Sequence, residues 1–136
     1  MKEIFVEIIT PSKRIFKGEV KSVTVPGTLG NFQVLYNHAP LLSTLEIGKI
    51  KICGLNDKEI EYATSGGTVE VSDNKILILA DSAESSEEID IERAKKSYER
   101  AKERLAAGNK GDVDILRAEL SLQRAINRMK MVGASQ

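Results

Sequence analysis

The chain has 136 residues, with 20 basic and 20 acidic side chains and a formal net charge of zero. That length allows one full domain and an appendage. The charge balance argues against a nucleic-acid partner, since phosphate binding calls for a basic excess.

The composition, 41% apolar and 29% charged, is that of a globular chain. Cys53 is the single cysteine, which excludes an internal disulfide and fits a reducing cytoplasm. The opening MKEIFVEIIT carries Glu3 and Glu7 within its apolar stretch, so it does not read as a signal peptide. The longest apolar run, Ile76 to Ala80, falls far short of the ~20 residues a membrane helix needs. Any membrane association is expected to be indirect, through a partner.

Up to about residue 81 the text alternates with period two. Ile4, Val6 and Ile8 alternate, then Val23 and Val25, then Phe32, Val34 and Tyr36. Ile50 and Ile52 follow, with Lys49 and Lys51 on the opposite face, and Ile60 and Tyr62 alternate against Glu59 and Glu61. Val69 and Val71 flank Glu70. Breaks are expected at Pro11-Ser12, Pro26-Gly27, Gly30-Asn31, Gly54 to Asp57, Gly66-Gly67 and Asp73-Asn74. About nine short half-buried strands at this spacing predict an antiparallel β-sandwich or barrel.

Beyond residue 81 the period becomes helical. Ile91, Ala94, Tyr98, Ala101 and Leu105 make one apolar stripe, and Ile115, Ala118, Leu122, Ala125 and Met129 make another. Gly108 to Asp112 reads as a turn between them. The expected fold is therefore β + α: an N-terminal antiparallel sandwich over 1–83 and a C-terminal antiparallel helical hairpin over 84–136.

The hairpin contains an internal repeat. Residues 90–101 follow the template D-I-x-R-A, five residues, R-A, and residues 114–125 follow it again; Ser97 and Ser121 also correspond. Asp90 and Asp114 suit helix starts, where a side-chain oxygen satisfies free N–H groups. The alanines, seven apart on each stripe, let the helix axes approach closely. The repeat can be read as this packing solution used twice, or as the frame of a site.

Charge is sorted along the hairpin. Residues 81–92 hold six acids and no Lys or Arg, and bases dominate the stretch that follows. The order suits the helix dipole. Arg93 and Arg100, then Arg117, Arg124 and Arg128, form rows beside the alanines. They serve either as a solvated face or as a docking surface for an acidic partner or anion, which the guanidinium fork binds bidentately.

Catalytic motifs are missing. There is no phosphate-binding G-x-x-x-x-G-K-[ST] loop, no H-E-x-x-H, no C-x-x-C and no G-x-S-x-G. A lone His and a lone Cys leave no ordinary metal cluster. His38 reads as a turn residue and Cys53 as a core or edge cysteine, in preference to a nucleophile pair. Glu59 and Glu61 read as solvated, and Gly66-Gly67 as a tight turn. The chain is not expected to be an enzyme.

GTLGNFQVLYNHAPLLSTLEIG at 27–48, YATSGGTVEV at 62–71 and ILADSAE at 78–84 resemble the epsilon subunits of bacterial rotary (F-type) ATP synthases. The resemblance spans the whole chain, including domain order and closing hairpin. It implies a flattened sandwich of ten strands that binds the gamma subunit and rests on the c-ring of a proton-translocating complex. The implied location is peripheral, at the cytoplasmic face of the cell membrane. The turn Gly27-Thr28-Leu29-Gly30 matches the ring contact, with Thr28 where many relatives carry an acid. The hairpin would inhibit ATP hydrolysis by extending among the alpha and beta catalytic subunits. There Arg93, Arg100, Arg117, Arg124 and Arg128 would meet an acidic loop of beta.

Some members of the family bind ATP on the folded hairpin through a motif I/L-D-x-x-R-A, present here as Ile89 to Ala94. The resemblance then implies that Glu84 and Asp90 hydrogen-bond the base or ribose. Ile89 and Ala94 would close the adenine side, and Arg93, Arg100, Arg124 and Arg128 would surround the phosphates. No cofactor is required, and ATP would be a regulatory ligand. The alternative is a free-standing ATP-sensing adaptor with the same two parts, which would form no stable complex with gamma.

Overall fold

The computed structural model describes residues 2–107 and 112–133, apart from the side chains of 112–114 and 133. The turn expected at Gly108 to Gly111 and the capping side chain expected at Asp114 lie outside the described residues. The chain divides into two compact units, Met1–Ser85 and Ser86–Gln136.

Nine strands build the first unit: β1 (Ile4–Ile9), β2 (Arg14–Gly27), β3 (Gly30–Val34), β4 (Leu41–Leu45), β5 (Gly48–Gly54), β6 (Glu59–Thr64), β7 (Gly67–Ser72), β8 (Lys75–Ala80) and β9 (Ala83–Ser85). The ten strands implied by the resemblance are thus nine among the described residues. β9 runs across the junction after residue 83 that was expected to separate the domains.

β2 organises the sandwich. Its first half pairs antiparallel with β1, Ile4 opposite Val20 and Ile8 opposite Phe16. Its second half pairs with β3 on one side and β5 on the other, Val23 lying opposite both Val34 and Ile52. The register with β5 shifts between Val20 and Ser22. Such an irregularity bends a strand, and here it lets β2 serve both layers. β1, β8, β7 and β4 continue one layer; β5, β6 and β9 continue the other. One pairing departs from the antiparallel expectation: β1 lies parallel to β8, Val6 opposite Ile76. No hairpin ties these two strands, which are far apart in the sequence, so the antiparallel direction a tight turn would impose does not apply to them.

The alternating positions fill the core. Ile4, Val6, Ile8, Val23, Val25, Ile50, Ile52, Val69, Val71, Ile76 and Ile78 are all buried. Truncating one of these isoleucines to alanine costs about 2–5 kcal/mol, from lost transfer free energy and the cavity left behind. Tyr36 departs from its expected alternation. It lies beyond the end of β3 and is exposed, with the Lys2 ammonium 5.3 Å from its ring centre. Ile60 is likewise exposed on β6.

The expected breaks hold the strained backbone. Asp57, Asp73 and Asn74 have positive φ, as does Asn37 after β3. At Gly67, φ is 142° and an added Cβ would lie 2.1 Å from the Leu79 carbonyl oxygen, so only glycine fits.

The second unit holds α1 (Ile91–Ala107) and α2 (Asp112–Gly133), packed against each other as a hairpin. Of the apolar stripes, Ala94, Ala101, Ala118 and Ala125 are buried, while the larger members are half-buried. The alanine rows therefore form the closest part of the helix contact, as small residues allow.

Candidate functional site

α1 begins at a side-chain cap. Asp90 Oδ1 accepts a hydrogen bond from the Arg93 backbone N–H at 3.1 Å, and the Asp90 carbonyl accepts one from Ala94 N–H at 3.0 Å. The aspartate satisfies an orphan donor of the first turn and places negative charge at the positive end of the helix dipole. Two and three turns on, Arg100 and Arg104 stand one helical turn apart. On α2, Arg124 and Arg128 have the same spacing.

These four arginines line one hollow of about 350 Å³, together with Ser97 and Ser121. The buried Ala101 contributes to its floor. No acid is among the described residues that line it. The Arg124 Nε atom is buried and has no hydrogen-bond partner among the described residues. A buried N–H donor left unpaired costs about 1–3 kcal/mol, more when the group is charged. Guanidiniums crowded together also repel. An anion with several oxygens would relieve both costs, because each guanidinium fork can donate two parallel bonds.

Not all of the expected site comes together. Arg100, Arg124 and Arg128 meet at the hollow. Arg93 is exposed one turn below and does not line it, and Arg117 is exposed elsewhere on α2. Asp90 serves the helix cap. Ala94 is buried in the hairpin stripe, and Ile89 is buried ahead of α1. Glu84 sits on β9 of the sandwich, opposite Ala63. Arg104 was missed by the sequence reading. The signal for it was available: Arg104 and Arg128 extend the repeat by one further turn at the same spacing as Ser97 and Ser121.

The expected ring-contact turn is the tip of the β2–β3 hairpin. Gly27 and Gly30 face each other across it, leaving Thr28 and Leu29 as the two-residue apex. A Cβ on Gly27 would lie 2.7 Å from the Phe32 ring. The apex is tied to β4, since Thr28 N–H donates to the Thr44 carbonyl at 3.2 Å and the two threonine hydroxyls share a hydrogen bond. Leu29 has no such tie and is fully exposed. A rigid turn thus presents one large apolar side chain to solvent.

The groups weighed as enzymatic have structural partners. His38 Nδ1 is 2.7 Å from the Ala39 carbonyl oxygen, and Cys53 Sγ contacts the Gly54 carbonyl at 3.8 Å. Glu59 and Glu61 pair with Lys51 and Lys49, each at 3.1 Å. They form a ladder of ion pairs on the outer face of β5 and β6. Among the described residues no cluster of three metal-ligating side chains occurs.

Two family models match the two parts of the chain. Residues 3–86 match the β-sandwich domain of the ATP synthase delta/epsilon chain, and residues 87–133 match its long α-helix domain. An ATP synthase epsilon chain of Nitratidesulfovibrio vulgaris is 46% identical over 132 residues, 97% of each chain. That of Desulfitobacterium hafniense is 46% identical over 122 residues, 90% of each. That of Bacillus pumilus is 38% identical over 133 residues, 98% of this chain and 99% of the other. Among solved structures, a chain of the Euglena gracilis mitochondrial ATP synthase matches with a TM-score of 0.83. It shares 22% identity, with 99% of this chain and 82% of that one covered, and so speaks for the fold.

Proposed function

The chain belongs to the ATP synthase delta/epsilon family, as a non-catalytic epsilon subunit of the central stalk, and from that premise we propose that it couples rotor to catalytic head and restrains ATP hydrolysis through its hairpin. The sandwich would bind gamma and rest on the c-ring through the apex at Leu29. Its location would be peripheral, on the cytoplasmic face of the cell membrane. No helix among the described residues is long and apolar enough to cross a membrane.

The hairpin is the regulatory part of this reading. Packed, it leaves hydrolysis free. Extended, it places Arg93, Arg100, Arg117, Arg124 and Arg128 against acidic surface of the catalytic subunits. ATP held by the packed hairpin would favour the non-inhibitory state, because a ligand shifts a two-state equilibrium only through its difference in affinity. The observation that supports this is the hollow where arginines of both helices meet, with a buried unpaired donor at Arg124. A polyanion bridging α1 and α2 would hold them together. Asp90 and Glu84 remain the proposed base or ribose contacts, with Ile89 and Ala94 beside the adenine.

The test is reconstitution. Added to catalytic complex lacking epsilon, the full chain should lower ATP hydrolysis, most strongly at low ATP. A chain ending at residue 86 should bind gamma equally well and inhibit far less. Equal inhibition by both would remove the hairpin from the mechanism. Failure of the full chain to bind gamma would favour the free-standing sensor.

A further inference from the structure

Two short connections run side by side at one end of the sandwich. Ser65-Gly66 carries the chain from β6 to β7, and Asp81-Ser82 carries it from β8 to β9. Each crosses between the layers, in opposite directions, because β7 and β8 lie in one layer and β6 and β9 in the other. Paired positions flank them, Gly67 opposite Ala80 and Thr64 opposite Ala83. Hydrogen bonds join the two connections. Asp81 N–H donates to the Gly66 carbonyl at 2.9 Å, and the Ser65 and Ser82 hydroxyls share a hydrogen bond of 2.7 Å. The buried Thr64 hydroxyl donates to the same Gly66 carbonyl at 3.1 Å and accepts from Gly66 N–H at 3.2 Å. Gly66 has a φ of 120°, and an added Cβ would stand 3.2 Å from the Leu45 carbonyl oxygen, so the corner is fitted to glycine.

We infer that this corner is a clasp that fixes the root of the hairpin, so that the joint on which the hairpin swings is confined to residues 86–89. The inference deepens the regulation proposed above and rests on the reading that the hairpin extends. β9 alone is a poor anchor. It has three residues and pairs only with β6 among the described residues, at Tyr62, Ala63 and Thr64. A short edge strand of this kind frays readily. The clasp opposes fraying, because Asp81 and Ser82 are tied immediately before β9 and Ala83 is buried in the sandwich core. Beyond the joint, Asp90 caps α1 through the Arg93 N–H. The chain is thus hydrogen-bonded up to Ser85 and again from Asp90, with exposed Ser86, Glu87 and Glu88 in the segment between. A few residues between fixed ends are what a hinge needs to absorb a change of φ and ψ. A fixed root lets α1 and α2 leave from one set point while the nine strands stay as they are.

Hydrogen exchange of the full chain, followed by NMR, reads the clasp at the Asp81 amide. That amide should exchange about as slowly as the paired amides of β6, and at least about tenfold more slowly than those of residues 86–88. Ser82→Ala should speed it by about two- to tenfold, the effect of one lost hydrogen bond, and leave β1 unchanged. The joint is read in reconstituted complex. Ser65→Cys with Ser82→Cys, in a Cys53→Ser background, locks the two connections when oxidised. The oxidised chain should inhibit ATP hydrolysis as strongly as the reduced one. Asp81 exchanging as fast as residues 86–88 would overturn the clasp. Inhibition by the reduced chain that oxidation abolishes would overturn the joint, since the swing would then need the β8–β9 connection to open. Slow exchange at Asp81 with no inhibition by the unaltered chain would uphold the clasp and remove the moving hairpin, which separates this inference from the regulatory reading. The exchange measurement on the unaltered chain needs no variant, so it decides the clasp even where the cysteine pair fails to fold.

Discussion

Arg100 of α1 and Arg124 of α2 occupy equivalent positions in the two repeats and reach the same hollow. Each helix thus supplies half of a cationic lining, and neither half is complete alone. A ligand held there must hold the helices together. This gives the packed hairpin a chemical reason to depend on solution conditions.

Asp90 has two proposed roles that substitution can separate. Its carboxylate caps α1 through the Arg93 N–H. Asp90→Ala should cost about 1 kcal/mol of hairpin stability. Asp90→Asn should keep most of that stability while weakening ATP. Thermal melts followed at 222 nm and ATP titrations of both variants measure the two effects. Equal losses of ATP affinity and of stability in both variants would reduce Asp90 to a cap.

Ala125 is fully buried in the helix contact and does not line the hollow. Ala125→Leu should push the helices apart at a cost of about 1–3 kcal/mol. The packed state alone bears that cost, so the population shifts toward extension by up to roughly tenfold per 1.4 kcal/mol. Hydrolysis by reconstituted complex should fall below that with the unaltered chain. Unchanged hydrolysis alongside a lowered melting temperature would show that packing stability does not set the brake.

Leu29 is fully exposed at the tip of a turn that is otherwise tied down. Leu29→Ser should leave the melting temperature of the sandwich within experimental error, because no packed contact is lost. Proton pumping coupled to hydrolysis, measured in reconstituted vesicles, should nevertheless decline. A stable variant with full coupling would remove the apex from the ring contact.

Lys21 and Lys51 are held above the ordinary lysine value, chiefly by side-chain hydrogen bonds to Asp57 and Glu59. A value raised in the folded state adds stability that is fully present below the unfolded value and is lost as pH climbs through the raised one. Both lysines are exposed to solvent, so the effect is small and screened by salt. Lys51→Gln should lower the melting temperature slightly at neutral pH, and the gap should close only in strong alkali. A gap that widened with rising pH would contradict this pairing.

The period-two text gave away the core because alternation and burial are the same fact for a half-buried strand. Ile50 and Ile52 go inward, while Lys49 and Lys51 go outward to glutamates. The first half of β2 was less legible. Its Ile15-Phe16 doublet and Gly18 blur the alternation, and the strand continues through Pro26 to pair with four partners, β1, β3, β4 and β5. The parallel pairing of β1 with β8 joins segments from opposite ends of the sandwich, and no local signal carries it. β9 is three residues long, too short for any periodicity.

In the hairpin the alanine stripes were readable, since every alanine placed on them is buried. The site was readable only in part. A motif is contiguous along one helix, but the hollow gathers side chains from turns of two helices. Arg93 belongs to the motif and stays outside; Arg104 lies beyond the motif and faces in. Extending the repeat by one turn would have found Arg104, because Arg128 is its equivalent.

The most direct test of the account is an ATP titration of the full chain by calorimetry, beside Arg100→Ala and Arg124→Ala. Saturable binding of one ATP, lost in both variants, is the predicted result and makes the hairpin a brake that follows ATP concentration. No binding at millimolar ATP would contradict it, and would leave the arginines to the catalytic subunits and the brake to rotation alone.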